Sequence, residues 1–167
     1  MASLELGDVT SAKAYFEKAL TTPTSPMHLV RPVLLMGSAF VALASGDKVQ
    51  AAALLREART YAEVRSMRHM YAPLELAEGH LAEASGNASA ALDSYLSGES
   101  AALGMGARPL VWQCRAGTAR ALRALGRTAE ADVKRNEALA TIEEIAATFK
   151  DQKLCALFRA NATSKLG

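Results

Sequence analysis

The chain has 167 residues, a formal net charge of +2, and a composition that is 50% hydrophobic but only 5% aromatic. This length allows one domain with a real core, the small net charge argues against a strongly basic nucleic-acid binder, and no apolar run approaches the ~20 residues of a membrane span. The N-terminus shows no signal peptide, and two cysteines without a CxxC pair are typical of reduced thiols in a cytoplasmic protein. Because alanine and leucine favour helices and β-branched residues are scarce, the composition predicts an all-α protein.

Eight helices are predicted along the chain, separated by helix-breaking residues. The predicted ranges are about 8–22, 26–45, 47–65, 67–85, 87–103, 108–125, 128–148 and 151–162. Pro26 directly after Ser25 favours a helix start. Asp8, Asp47, Asn87 and Asp151 are predicted to cap the helices that follow them.

Four glycines recur at nearly constant spacing and define a repeat. They are Gly7, Gly46, Gly86 and Gly126, at intervals of 39, 40 and 40 residues. Each glycine is followed five residues later by alanine, then four residues later by a larger side chain, then three residues later by a small one. The larger side chains are Phe16, Leu55, Tyr95 and, as an exception, Arg135. Each glycine therefore predicts a tight turn between two antiparallel helices, whose axes approach closely at the small residues.

This pattern of a helix, L/S-G-D/N and then A-x3-Y/F-x2-A resembles the tetratricopeptide repeat. The period of about 40 resembles the long variety found in the C-terminal superhelical regions of bacterial signal-transduction ATPases and large transcriptional regulators. The resemblance covers nearly the whole chain and implies a single domain, a right-handed α-α superhelix of antiparallel helix pairs. Its parts are a partial unit at 1–25, units at 26–65, 66–104 and 105–149, and a capping helix at 150–162. The chain departs from the family pattern at Glu75, Glu78 and Arg115, where bulky apolar side chains are usual.

The two ends of the predicted stack raise separate expectations. The first unit has almost no first helix, and a repeat cannot bury its apolar face alone, so we expect the chain to be the C-terminal part of a larger protein. Tyr15 and Phe16 are expected on an apolar edge that forms a homo-oligomer with another copy. At the other end we expect a cap, the alternative being a frayed tail over 150–167. The cap would turn Leu154, Leu157 and Phe158 inward and Lys153, Arg159 and Asn161 outward.

A window without acidic residues, between Glu99 and Glu130, suggests a binding site on the helix predicted at 108–125. The arginines within this window are Arg108, Arg115, Arg120, Arg123 and Arg127. At 100° per residue, one arc is apolar, and Trp112 lies among the arginines opposite. The apolar arc consists of Leu110, Cys114, Ala121, Leu122 and Leu125. A lone tryptophan on a basic face suggests that Trp112 is a stacking platform beside an anion clamp, for which Arg120 is the best candidate. In the resembled family the first helix of each pair lines the concave groove, and this is such a helix. The predicted site residues are His80, Glu83, Trp112, Arg120 and Arg123.

A structural interpretation of the same residues stays open. Stacked repeats place equivalent positions side by side, so Glu75 with Arg115 and Glu83 with Arg123 are alternatively ion pairs between repeats, which are weak at a surface. Arg120 has His80 as its counterpart and no predicted ionic partner. The equivalent apolar positions of the second unit are interpreted as groove or, more commonly for such stripes, as core. They are Leu35, Met36, Phe40 and Leu43.

No motif points to catalysis. The histidines lack metal-ligand spacing, and GMGARP at 104–109 lacks the lysine of a phosphate loop. Cys114 is expected to be a small buried hydrophobe. We therefore expect a non-enzymatic, cytoplasmic module without cofactor that binds a partner peptide on its concave face, with no membrane and no direct nucleic-acid contact. Two alternatives remain: a sensor that binds an anionic metabolite, and an oligomerisation platform.

Overall fold

A computed structural model describes residues 8–21 and 27–166, and within them the secondary structure is entirely helical. The α-helices are α1 (Val9–Thr21), α2 (Met27–Ala44), α3 (Lys48–Val64), α4 (Tyr71–Ala84), α5 (Ala88–Gly104), α6 (Arg108–Ala124), α7 (Thr128–Ala146) and α8 (Gln152–Ser164). A 3-10 turn, Arg68–Met70, precedes α4. The predicted all-α class is confirmed, and among the described residues no helix is long and apolar enough to cross a bilayer.

The observed helix ends lie within two residues of the predicted ones, except at the start of α4, where the 3-10 turn intervenes. The predicted glycine turns explain this agreement. Gly46, Gly86 and Gly126 follow α2, α4 and α6 with φ of +80°, +76° and +77°, a conformation that glycine adopts without steric cost. Gly7 and the predicted helix start at Pro26 lie outside the described residues.

Side chains after two of these glycines start the next helix as predicted. Asp47 Oδ1 accepts a hydrogen bond from the Gln50 amide at 2.9 Å, and Asn87 Oδ1 accepts one from the Ala90 amide at 3.0 Å. Asp151 caps α8 in the same way, accepting from the amides of Lys153 and Leu154. Each cap satisfies backbone donors that the first helical turn leaves unpaired.

Consecutive helices pack against each other from α1 to α8, and alternate helices α2, α4 and α6 also touch. Close approach depends on glycines facing large side chains. The ring of Tyr95 on α5 lies directly over Gly79 of α4 and Gly117 of α6, and the ring of Phe16 lies over Gly37 of α2. A methyl group at any of these glycines would overlap the facing ring. The larger side chain of the repeat thus fills a gap between neighbouring helices.

Ion pairs link the second helix of one pair to the first helix of the next. Arg59 on α3 binds Glu75 and Glu78 on α4. At the equivalent positions forty residues later the charges are exchanged, and Glu99 on α5 binds Arg115 on α6. These contacts give a role to the three residues that depart from the family pattern. They also contradict the predicted pairing of Glu75 with Arg115, because each side chain reaches back to the helix before it.

The predicted orientation of the last helix is wrong in part. Leu154 and Leu157 are 54% and 67% exposed instead of inward, and Phe158 is half-buried. The buried positions are Ala162 and Leu166, which pack with Trp112, Ala138 and Ile142. The i, i+4 stripe through 158, 162 and 166 faces α7 and α6, which turns Leu154 and Leu157 toward solvent. The predicted outward position of Arg159 is correct, and it binds Glu143 at 2.7 Å.

The N-terminal helix α1 packs on α2. Ala12 is buried and Phe16 is half-buried, whereas Tyr15 is 69% exposed. The exposed Tyr15 is compatible with the predicted contact to another copy, which remains a prediction.

Candidate ligand-binding cavity

A cavity of about 430 Å³ lies where α2, α4 and α6 meet the end of α8. The residues that line it come from the three helices α2, α4 and α6 and from the residue directly after α8. They are Phe40, Leu43, Ala44, His80, Ala84, Trp112, Gln113, Ala116, Arg120 and Lys165. Most of the wall is apolar, and the polar groups converge on one side, which is the usual composition of a binding cavity.

The polar side of the cavity is a connected hydrogen-bond network on α4, α5 and α6. Arg120 binds Glu83 with two parallel hydrogen bonds, from Nε to Oε1 at 2.6 Å and from Nη2 to Oε2 at 2.9 Å. The hydroxyl of Tyr95 donates to Glu83 Oε2 at 2.7 Å and lies 3.1 Å from Nδ1 of His80. A third donor of Arg120, Nη1, binds the backbone carbonyl of Lys165 at 2.9 Å. Arg120 thereby joins the first helices to the end of α8.

Burial and charge keep this network in a defined protonation state. Burial and the neighbouring Arg120 lower the pKa of His80 to about 4, so the ring is neutral at pH 7. Burial by itself would raise the pKa of Glu83, but the hydrogen bonds from Arg120 and Tyr95 outweigh it and hold that pKa below its ordinary value. Burial and the bond to Glu83 raise the pKa of Tyr95. The network at pH 7 is therefore one guanidinium, one carboxylate, one phenol and one neutral imidazole.

An aromatic and aliphatic wall faces the network. The rings of Phe40 and His80 meet edge to face with centroids 5.8 Å apart, and Leu43 lies beside Phe40 on α2. Trp112 on α6 also lines the cavity. Leu35 and Met36 are 2% and 9% exposed and belong to the core, as the structural interpretation of that stripe predicts. Phe40 and Leu43, from the same stripe, line the cavity instead.

The position of Trp112 corrects the predicted arrangement of α6. Trp112 is only 6% exposed and packs with Ala116, Ile142 and Leu166, so it is not a platform on a solvated basic face. Nine residues of α6 are buried because the helix has neighbours on most sides. Leu125, predicted on the buried arc, is 41% exposed at the end of the helix. The opposition of an apolar and a basic arc therefore does not describe this helix.

Arg123 stands apart from the other predicted site residues. It does not line the cavity, and its Nη2 lies 3.2 Å from Oδ1 of Asp132 on α7. The alternative prediction that Arg123 pairs with Glu83 is wrong, because Glu83 binds Arg120. The expectation that Arg120 has no ionic partner is wrong for the same reason. Of the five predicted residues, His80, Trp112 and Arg120 line one cavity. Glu83 does not line it but binds Arg120, and Arg123 lies outside the cavity beside Asp132.

Three parts of the site are not among the predicted residues. The sequence predicts Tyr95 only as a larger side chain of the repeat, although that position places it between α4 and α6. Lys165 lies beyond the predicted end of the last helix. Ala84 and Ala116 line the cavity with small side chains, which are too common in this chain to single out.

A second cavity, of about 460 Å³, adjoins the first along α8 and shares Trp112, Gln113 and Lys165 with it. Its outer wall is the exposed face of α8 with Leu154 and Leu157. Within the described part of the chain, no group of three or more His, Cys, Asp or Glu side chains could hold a metal ion. Cys114 is fully buried, and burial raises the pKa of its thiol to about 12.

Comparisons with protein-family models, curated proteins and solved structures give no match for this chain.

Proposed function

We propose that this protein is a non-enzymatic helical-repeat module of the tetratricopeptide type, which binds a segment of a partner protein in the cavity between α2, α4 and α6. The repeated glycine turns and the contacts among these three first helices support a superhelical stack with the cavity on its inner face. The resemblance of the repeat further supports a place in a larger signalling or transcriptional regulatory protein.

One observation favours a peptide side chain over an anionic metabolite. The charge of Arg120 is already compensated by two hydrogen bonds to Glu83, and a third donor is used by a backbone carbonyl. An incoming anion would have to compete with a carboxylate held in bidentate geometry. The remaining wall is largely apolar, so burial of an apolar side chain is the interaction that this cavity offers.

The experiment compares two alanines at equivalent repeat positions. Ala84 lines the cavity at the end of α4, and Ala124, forty residues later, ends α6 outside it; both are exposed. Random displayed peptides are selected on the whole chain, and the affinities of the selected peptides are measured for the wild type, Ala84→Phe and Ala124→Phe. Trp112, the single tryptophan, reports occupancy of the cavity by fluorescence.

We expect Ala84→Phe to weaken binding about tenfold or more by steric exclusion, and Ala124→Phe to change it less than about twofold. A selection that yields no binders, or only binders that tolerate Ala84→Phe, would show that the cavity is not the peptide site. Circular dichroism of both variants confirms that neither change has altered the fold.

A further inference from the structure

We propose that the cavity presents a bare imidazole nitrogen, Nε2 of His80, as a hydrogen-bond acceptor, and that the partner side chain it takes is therefore a tyrosine. This inference rests on the proposed function and names the partner side chain for the same cavity.

The hydrogen bond between Tyr95 and Glu83 has a fixed direction. An ionised carboxylate only accepts hydrogen bonds, and the salt bridge to Arg120 keeps Glu83 ionised. The 2.7 Å contact with Glu83 Oε2 therefore uses the single hydroxyl proton of Tyr95. The phenol oxygen retains lone pairs and can act only as an acceptor toward any further neighbour.

The contact with Tyr95 fixes the tautomer of His80. Its Nδ1 lies 3.1 Å from the Tyr95 oxygen, which has no proton left to donate in that direction. A hydrogen bond between them requires that Nδ1 carry the proton. A neutral imidazole has one N–H only, so Nε2 holds a lone pair.

The lone pair on Nε2 of His80 is available to a ligand in the cavity. The His80 ring lines the cavity, and none of the hydrogen bonds among the described residues involves its Nε2. A ligand that satisfies Nε2 must carry an O–H or N–H group. The positive charges of Arg120 and Lys165 near this ring disfavour a cationic donor such as a lysine or arginine side chain.

The apolar part of the cavity wall suits an aromatic ring. Phe40, Leu43 and Trp112 offer apolar and aromatic contact to the body of a ring, and a volume of about 430 Å³ accommodates one. A tyrosine side chain combines this apolar body with a neutral O–H at its tip. Phenylalanine has the same body without the donor and is the natural comparison.

The first test measures the tautomer in the ligand-free chain. Long-range 1H–15N correlation spectra of the wild type at pH 7 are expected to show His80 with a protonated Nδ1 and a bare Nε2. His69, which is exposed, serves as the internal reference. A protonated Nε2 in His80 would overturn the inference without any ligand being present.

The second test uses N-acetyltyrosinamide and N-acetylphenylalaninamide as probes, together with selected peptides that carry Tyr or Phe at their anchor position. We expect the tyrosine member of each pair to bind about three- to tenfold more tightly, the range of one neutral hydrogen bond. In Tyr95→Phe, Nδ1 of His80 loses its acceptor and the tautomer is no longer fixed. The preference for tyrosine is then expected to fall below about twofold, with the affinity of the phenylalanine probe unchanged.

The control is Tyr61→Phe on α3, which removes a hydroxyl from a half-buried tyrosine outside the cavity and should leave the preference intact. Equal binding of the two probes, or a preference that survives Tyr95→Phe, would overturn the inference and leave the peptide-binding proposal standing. Absence of any binding sensitive to Ala84→Phe would instead remove the proposed function. The tautomer measurement on the wild type decides the matter if Tyr95→Phe does not fold.

Discussion

Two buried threonines on neighbouring helices differ in how their hydroxyls are paired. Thr141 on α7 donates to the carbonyl of Glu137 at 3.0 Å and accepts from Arg115 at 2.9 Å. Thr118 on α6 is 1% exposed, and its hydroxyl has no hydrogen-bond partner among the described residues. A buried hydroxyl that has lost its hydrogen bonds to water without gaining others costs about 1–3 kcal/mol.

We therefore expect opposite effects from the same substitution at these two positions. Thr118→Val keeps the shape and the helix propensity and removes the unpaired group, so it should raise the free energy of unfolding by about 1 kcal/mol. Thr141→Val leaves Arg115 without one of its acceptors and should lower that free energy by about 1–2 kcal/mol. Urea denaturation of both variants measures the difference, and a loss of stability in Thr118→Val would contradict the prediction.

The protonation of His80 gives a pH dependence with a definite sign. Its pKa is about 4 in the folded chain and about 6.5 when unfolded, so between these values the unfolded state binds more protons. Stability is fully present above pH 6.5 and is lost as the pH falls toward 4. Glu83, whose pKa is also lowered, acts in the same direction at lower pH. Allowing for the partial exposure of the ring, we expect a loss of about 1–2 kcal/mol from His80.

Two histidine variants isolate this contribution. His80→Gln should flatten the dependence of the unfolding free energy on pH between 6.5 and 4, and His69→Gln, at an exposed position, is the matched control. The charged and titratable groups around His80 that set its pKa are Arg120, Glu83 and Lys165. Parallel pH profiles for the wild type and His80→Gln would show that His80 does not contribute to acid destabilisation.

For single residues, the sequence predicts which side chains lie on neighbouring helices better than it predicts which of them bind each other. The 40-residue step between His80 and Arg120 correctly suggests neighbouring helices, because equivalent positions in a repeat recur on adjacent first helices. It fails to identify Glu83 as the partner of Arg120, because the pair is offset by 37 residues instead of 40. The direction in which a long side chain reaches depends on helix rotation, which the repeat period does not specify.

Helices approach each other at the position that the repeat reserves for a larger side chain. In the second unit this side chain is Leu55, which shares a buried cluster with Ala39 and Ala77. Forty residues later Tyr95 takes the place of Leu55, and Gly79 and Gly117 take the places of the two alanines. The larger knob thus coincides with smaller residues on both facing helices, as close packing requires.

This size matching predicts a reversal of sign that can be measured. Gly79→Ala and Gly117→Ala should each destabilise the wild type by about 1–3 kcal/mol, because the new methyl group overlaps the ring of Tyr95. In a Tyr95→Leu background the same substitutions should be neutral or stabilising by up to about 1 kcal/mol, the ordinary advantage of alanine over glycine in a helix. A double-mutant cycle from thermal or urea unfolding gives the coupling energy.

Additive effects in that cycle would contradict the prediction, since independent sites show no coupling. Gly37→Ala tests the same relation at α2, where the facing ring is Phe16. Gly46→Ala is the contrasting case. No atom of the described residues lies within 4 Å of its new methyl group, and the φ of +80° makes backbone conformation the source of the cost.

Helix boundaries could be predicted almost completely because they depend on local chemistry. Gly46, Gly86 and Gly126 end helices through their own backbone freedom, and Asp47, Asn87 and Asp151 start them through their own side chains. The orientation of α8 could not be predicted in the same way. Leu154 and Leu157 are as apolar as Leu166, and only the position of Trp112 and Ile142 on the preceding helices decides which of them is buried.

Across the described residues, consecutive helices pack against each other as a stack of neighbours, and this arrangement predicts graded stability. In such a stack, stability is approximately the sum of the units and the interfaces between neighbours. The helices α4, α5 and α6 are packed on both sides, whereas α1 packs mainly on α2 through Phe16 and Ala12. Backbone amides of α1 should therefore exchange with solvent through local opening while those of α5 and α6 require global unfolding.

Native-state hydrogen exchange of two adjacent aromatic variants tests this gradation. Phe16→Ala removes the ring that covers Gly37 and should abolish most protection in α1, with little change in the opening free energy of α5 and α6. Tyr15→Ala alters a side chain that is 69% exposed and should leave all helices as protected as before. If α1 is as protected as α5, and if Phe16→Ala lowers protection equally in every helix, the stack unfolds as a single cooperative unit and its stability is not graded along the chain.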